Sequence, residues 1–241
     1  MKKLIALAAL AACIPAFAAS VESSNVVGYT KLNLSGSTIV GAQFVKVGGE
    51  SVDINDFVSE DLTTGAVAQF WDGSSYAMAY YYDENSDGGV YSSDGEECLG
   101  PGWGDEDQII TGNVLPTGSG FWVISSPATL IAAGEVSSSN TITVEAGTWL
   151  VANPLPTATN TKNIKCPGFE TGTVAQFWNG TGYTLAYYYD ENSDGGVYSE
   201  DGEECLGPGW GDEDQIVIDH DIAVGEGFWV ISGTGSEVTF E

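Results

Sequence analysis

Residues 79–109 and 186–216 of this chain agree at 30 of 31 positions, the exception being Ser93 against Glu200. An internal repeat limits the fold more than any local pattern does, because whatever one copy builds the other must build too. The offset stays at 107 from Gln69-Phe70-Trp71 and Gln176-Phe177-Trp178 through to Gly120-Phe121-Trp122 and Gly227-Phe228-Trp229. Upstream, Leu32-Asn33-Leu34 aligns with Ile142-Thr143-Val144 at an offset of 110, so the second copy's connection is three residues shorter.

Each copy reads as β. Val67–Trp71 and Tyr76–Tyr82 are aromatic and β-branched runs around Asp72-Gly73-Ser74-Ser75, a hairpin signal, and the second copy turns at Asn179-Gly180. Alternation puts Met78, Tyr80 and Tyr82 on one face, and Leu185, Tyr187 and Tyr189 on the equivalent one. A glycine-led aromatic strand closes each copy, at 120–125 and 227–232. No helical periodicity follows residue 18. The expected fold is all-β, with two tandem homologous sandwich or barrel-like modules at 19–127 and 128–241, each carrying a long acidic loop. The small residues of 128–139 read as the link between them.

The N-terminus, MKKLIALAALAACIPAFAAS, has a basic start at Lys2-Lys3, an apolar run and a small-residue cleavage site at Ala16-Phe17-Ala18. It reads as a secretory signal over 1–18, which implies a secreted or cell-surface protein. Leu10-Ala11-Ala12-Cys13 would also suit lipid attachment at Cys13, but leaves a signal of only twelve residues. No later run is long enough for a transmembrane helix. The net charge of -28 rests on 34 acids against six lysines, with no arginine. Such a surface repels nucleic acid and anionic membranes and attracts cations. With 43% hydrophobic residues, the chain still has a core to bury.

Many of the acids crowd into the repeated loop. With Asp83 as position 1, Asn85 and Asp87 stand at 3 and 5, Gly88 at 6, Gly89 at 7 and Asp94 at 12. The second copy places Asp190, Asn192, Asp194, Gly195, Gly196 and Asp201 in the same order. Calcium takes six to eight hard oxygens, and alternate side chains converge on one ion when the chain curls at a glycine. Gly89 and Gly196 would offer backbone carbonyls. The expectation is about two structural Ca2+ ions per chain.

Two resemblances rest on these residues. Gly147-Thr-Trp-Leu-Val-Ala-Asn-Pro-Leu-Pro156, Phe177-Trp-Asn-Gly-Thr-Gly-Tyr183 and Gly225-Glu-Gly-Phe-Trp-Val230 resemble a class of secreted bacterial β modules with tryptophan- and glycine-marked strands. That resemblance covers both copies and implies location and fold, with no catalytic residues. The first copy departs from it, with Ile39-Val-Gly-Ala-Gln-Phe44 in the opening strand. The loops are similar to the EF-hand-type calcium loops of dockerin modules, which accept aspartate at position 12. That likeness ends with the loop.

Cys98 and Cys205 are equivalent, and Cys166 has no counterpart. Export permits disulfides, and the pairings Cys166–Cys205 and Cys98–Cys205 are both open, with one thiol left over for another chain. Trp103 and Trp210 sit in Leu-Gly-Pro-Gly-Trp-Gly beside the acidic loops. Exposed, they would make a ligand platform; buried, they would plug the loop onto the sheet. His220 has no counterpart, and no nucleophile elbow or zinc spacing occurs. The leading expectation is therefore a secreted, non-catalytic calcium-binding protein with a structural or adhesive role, self-associating at the cell surface or in an extracellular assembly. A calcium-dependent carbohydrate-binding protein is the alternative, and a glycan-active hydrolase the third reading.

Overall fold

A long antiparallel strand pair and a hairpin set the architecture of the first copy. In the computed structural model, which describes residues 27–46, 50–137 and 139–241, Val27–Gly41 runs antiparallel to Gly120–Val136. Val67–Trp71 pairs on one side with Trp122–Ile124 and on the other with Tyr76–Tyr82, whose far edge takes Gly102–Gly104. The second copy builds the same order from Gly147–Ala152, Gly227–Ser232, Val174–Trp178, Tyr183–Tyr189 and Gly209–Gly211. The fold is all-β: every ladder is antiparallel, and the only helical elements among the described residues are two 3-10 turns, Ile54–Asp56 and Thr161–Asn163. No described helix is long and apolar enough to cross a membrane. The export signal at 1–18 and Cys13 lie outside the described residues.

The alternation read from the sequence has a physical result. Ala79 and Tyr81 point into the first core, while Met78 is exposed and Tyr80 and Tyr82 half-buried. Phe57, Phe121 and Phe70 fill that core, with ring centroids 5.2 and 5.4 Å apart. A second cluster forms around Phe177, Phe228, Tyr188 and Phe240.

Residues 128–139, expected to link the copies, do something else. Ala128–Val136 continues the closing strand, Ala128–Glu135 pairs with Val27–Leu34, and Leu130 is fully buried. The first copy's sheet thus runs to Val136, past the expected boundary at 127/128, and the connection shrinks to the few residues before Thr141. Small residues here suit close packing rather than a loop. In the second copy the corresponding strands break, at Glu145-Ala146 and at Gly233–Gly235, and Thr141–Val144 pairs separately with Ser236–Phe240. Where the first copy uses Ser35 alone at its bulge, the second uses two residues.

The copies meet across an approximate two-fold axis, and the backbone bonds, bridges and indole bonds of one side are returned on the other. Gly41 N donates to Gly225 O at 2.9 Å, and Ala152 N donates to Gly118 O at 2.7 Å. Isolated antiparallel bridges join Val40 to Glu226 and Val151 to Ser119. Trp71 Nε1 donates to Thr148 O at 2.6 Å, and Trp178 Nε1 to Ser37 O at 2.8 Å. Each of those rings meets a tryptophan of the other copy edge to face: Trp71 with Trp229 at 6.0 Å, and Trp178 with Trp122 at 5.7 Å. Ile39 and Leu150 are buried among the four rings. At the axis only glycine fits at residue 41, since a Cβ there would collide with the Ala152 methyl.

The symmetry makes a quantitative prediction. Trp71→Phe and Trp178→Phe remove the same kind of indole hydrogen bond, so each should cost about 1 kcal/mol. The two costs should agree within about 0.5 kcal/mol in urea unfolding, since the sites are equivalent.

Candidate functional site

The acidic loops are built on a buried foot. Val90 and Val197 are buried, and Val90–Tyr91 pairs with Cys98–Gly100 as Val197–Tyr198 does with Cys205–Gly207. Gly89 has φ +119, and a Cβ there would strike the Gly100 carbonyl, so this position accepts only glycine. Tyr91 N donates to Gln108 O at 2.8 Å and Ile110 N to Tyr91 O at 2.8 Å, which ties the loop to the following turn. That turn is held by Asp105, whose Oδ1 accepts from Asp107 N and Ile109 N at 2.9 and 3.0 Å.

The first arm curls as its spacing requires. Asp83 Oδ1 accepts from Asn85 N at 2.9 Å, Ser86 N donates to Asp83 O, and Asp87 and Gly88 take left-handed φ values of 49° and 92°. The Asp83 carboxylate also faces the preceding turn: Thr64 N donates to Oδ2 at 3.2 Å, while Asp83 N donates to Thr64 Oγ1 at 2.9 Å. In the second copy Thr171 Oγ1 donates to Asp190 Oδ1 at 2.9 Å, and Asn192 N to the same oxygen at 3.0 Å. Tyr91 and Tyr198 hydroxyls donate to the carbonyls of Asp87 and Asp194, both at 3.1 Å.

Position 12 does not join this arm. Ser92 Oγ donates to Asp94 Oδ1 at 2.6 Å and Glu96 N donates to the same oxygen at 3.2 Å, so the carboxylate closes its own tight turn. Asp201 does the same with Ser199 and Glu203. Among the described residues, no three Asp, Glu, His or Cys side chains come together as metal ligands. Asp83, Asn85, Asp87 and Gly89, like Asp190, Asn192, Asp194 and Gly196, share one curled arm of the loop, whereas Asp94 and Asp201 are turned into a separate turn. Sequence spacing shows which residues stand at alternate positions, but not that a serine two residues upstream competes for the last carboxylate. The Ser-x-Asp pairs at 92–94 and 199–201 were the available signal.

Hydrogen bonds govern the charge here. Thr64's amide first, then Asn85's, hold the Asp83 carboxyl below its ordinary range, and the Thr171 hydroxyl does so for Asp190. The Ser92 and Ser199 hydroxyls lead the same effect on Asp94 and Asp201.

Trp103 and Trp210 are buried, at 0% and 3% exposure, which removes them as an exposed ligand platform. Each stands edge to face on the tyrosine opposite it across the ladder, Tyr81 at 5.2 Å and Tyr188 at 5.3 Å, and so plugs its loop onto the sheet. Neither expected disulfide forms: Cys98, Cys166 and Cys205 are free. Cys166 belongs to the second core, while Cys98 and Cys205 are exposed on the loop hairpins, with their sulfurs beneath Gly88 and Gly195. His220 lies on the Phe177 ring at 4.1 Å, with Glu226 Oε1 3.8 Å from its Nε2. No family model, curated protein or solved structure matches the chain.

Carboxylates with lowered folded pKa values stabilise the fold above their unfolded pKa of about 3.9, and that stability disappears as pH falls through the folded values. The double variant Ser92→Ala/Ser199→Ala should thus melt below the wild type at pH 6. The gap should close as pH falls through the lowered folded values of Asp94 and Asp201, below which both proteins carry these carboxyls protonated. A gap that stayed constant across that range would mean the hydroxyls act through packing instead.

Proposed function

We propose that this chain is a secreted, non-catalytic structural or adhesive protein, two tandem β modules joined into one rigid block, that works in an extracellular or cell-surface assembly. The observation that carries this reading is the seam. Four tryptophans, paired backbone bonds and a glycine at the axis fix one copy against the other, which suits a load-bearing or lattice-forming unit better than a pair of jointed binding modules. Self-association has support from asymmetry between the copies. Val58 and Val114 are 56% and 65% exposed in the first copy, where the second has Lys165 and Asp221 at the equivalent places. The two copies thus present different surfaces at equivalent places, which favours head-to-tail contact over closed pairing.

The acidic loops are read as calcium loops on their repeated 1-3-5-6 spacing and on the curl of 83–89. An ion would have to draw Asp94 and Asp201 away from Ser92 and Ser199, or recruit other oxygens. Carbohydrate binding through Trp103 and Trp210 is not part of the proposal, because both rings are covered.

Melting with millimolar calcium and with excess chelator tests the metal. Binding to the folded state alone should raise the midpoint, by about 2.7 kcal/mol of stability at a hundredfold excess over Kd. Equal midpoints would remove calcium from the proposal and leave the structural role. Sedimentation over a hundredfold range of concentration tests that role. Growth of extended species, reduced by Val58→Lys and Val114→Asp, supports it; a monomer throughout sinks it.

A further inference from the structure

One half of the seam fills itself with an indole that the other half lacks. Trp149 packs against the second core and lies over the first copy's hairpin turn, where a Cβ at Gly73 would stand 3.1 Å from its Cη2. Its Nε1 has no hydrogen-bond partner among the described residues, so shape and apolar contact hold the ring there. The pairing register identifies its counterpart. Trp149 pairs with Val230 and Thr38 with Val123, and those two valines are equivalent at the repeat offset of 107. Thr38 thus stands where the second copy has an indole. A Cβ at Gly180, the counterpart of Gly73, would meet nothing within 4 Å.

The space left by that exchange is a cleft of about 480 Å³. Its frame is the same in both halves, for Leu32 crowds Gly225 as Ile142 crowds Gly118. Its walls are open to solvent: Lys31, Asn179 and Gly180 are exposed, and Thr38 and Trp178 are half-buried. The Trp178 wall is fixed in advance by its indole bond to Ser37 O at 2.8 Å, so a ligand need not order it. Two charged side chains reach the cleft. Glu226 is engaged, with Oε2 accepting from Ala223 N at 2.9 Å and Oε1 3.8 Å from His220 Nε2. Lys31, where the second copy has Thr141, makes no ion pair among the described residues, although the chain carries 34 acids.

We infer that this cleft binds a flat bicyclic aromatic acid. The ring takes the place of the missing indole, against Thr38 and the Asn179-Gly180 turn, and the carboxylate meets the Lys31 ammonium. The filled half gives the size and flatness of the ring, and Lys31 the sign of its charge. The inference rests on neither calcium nor assembly.

Indole-3-acetate is the probe, added to the intact 15N-labelled chain. Tryptamine is the same ring bearing a cation, and cyclohexylacetate an acid without the flat ring. Indole-3-acetate should shift the Gly180 amide signal saturably and leave that of Gly73, beneath Trp149, in place. Thr38→Trp supplies the ring from within, as Trp149 does, and should abolish the shift. Lys31→Gln should weaken binding about twofold to fivefold at low salt, the worth of one exposed ion pair. Being an exposed substitution, it serves as the second variant if Thr38→Trp does not fold. An unmoved Gly180 amide at millimolar probe, equal binding of tryptamine or cyclohexylacetate, or unchanged binding in the variant that folds would each overturn the assignment.

Discussion

A pair of backbone hydrogen bonds crossing a two-fold axis is the constraint on which the rest of the structure depends. Gly41 N to Gly225 O and Ala152 N to Gly118 O can form together only if the opening strand of each copy lies against the turn that precedes the closing strand of the other. That placement requires glycine at residue 41, because the Ala152 methyl occupies the space beside it. It also brings Trp71 to Trp229 and Trp178 to Trp122, so the large apolar faces of the two sheets cover one another instead of facing solvent. Edge-to-face pairs of this kind add about 0.5–1.5 kcal/mol each beyond their buried area. Trp71 and Trp178 also donate their indole N–H groups to carbonyls of the opposite copy, so the contact has direction as well as area.

How much of this was legible in the sequence depends on range. The Val67–Tyr82 hairpin and the closing strand could be read because alternation and a turn are local signals. The 128–139 stretch was misread because alanines and serines look like a linker, whereas their small size lets that strand pack beneath Phe44, Phe57 and Leu34. The seam was not legible at all. Trp71 and Trp122 stand in strands, and nothing nearby in the sequence says that their partners lie in the other copy. Trp103 and Trp210 could be read either way until the ladder placed them opposite Tyr81 and Tyr188, on the buried side. In the loops, spacing located the residues that curl, but hydroxyl competition for Asp94 and Asp201 decided where the last carboxylate points.

The acidic loops also show how such a chain tolerates its charge. Carboxylates crowded this closely repel one another unless each has its own donors. Here backbone amides reach Asp83, Asp94 and Asp105, and the hydroxyls of Ser92, Thr171 and Ser199 reach Asp94, Asp190 and Asp201. Any cation must compete with those donors, which shifts the question from whether acids are present to whether an ion gains more than Ser92 and Ser199 lose.

Near-identity of the loops makes the remaining differences between the copies more informative. Residues 79–109 were kept, while the 3-10 turn beneath them changed from Asn55 to Lys162 and the following turn from Ser59 and Leu62 to Cys166 and Phe169. The indole above them is met differently in the two copies: Trp103 Nε1 donates to Phe57 O at 3.4 Å, whereas Trp210 faces the Cys166 thiol. The seam does not involve this region, so either arrangement was free to arise without disturbing how the copies join.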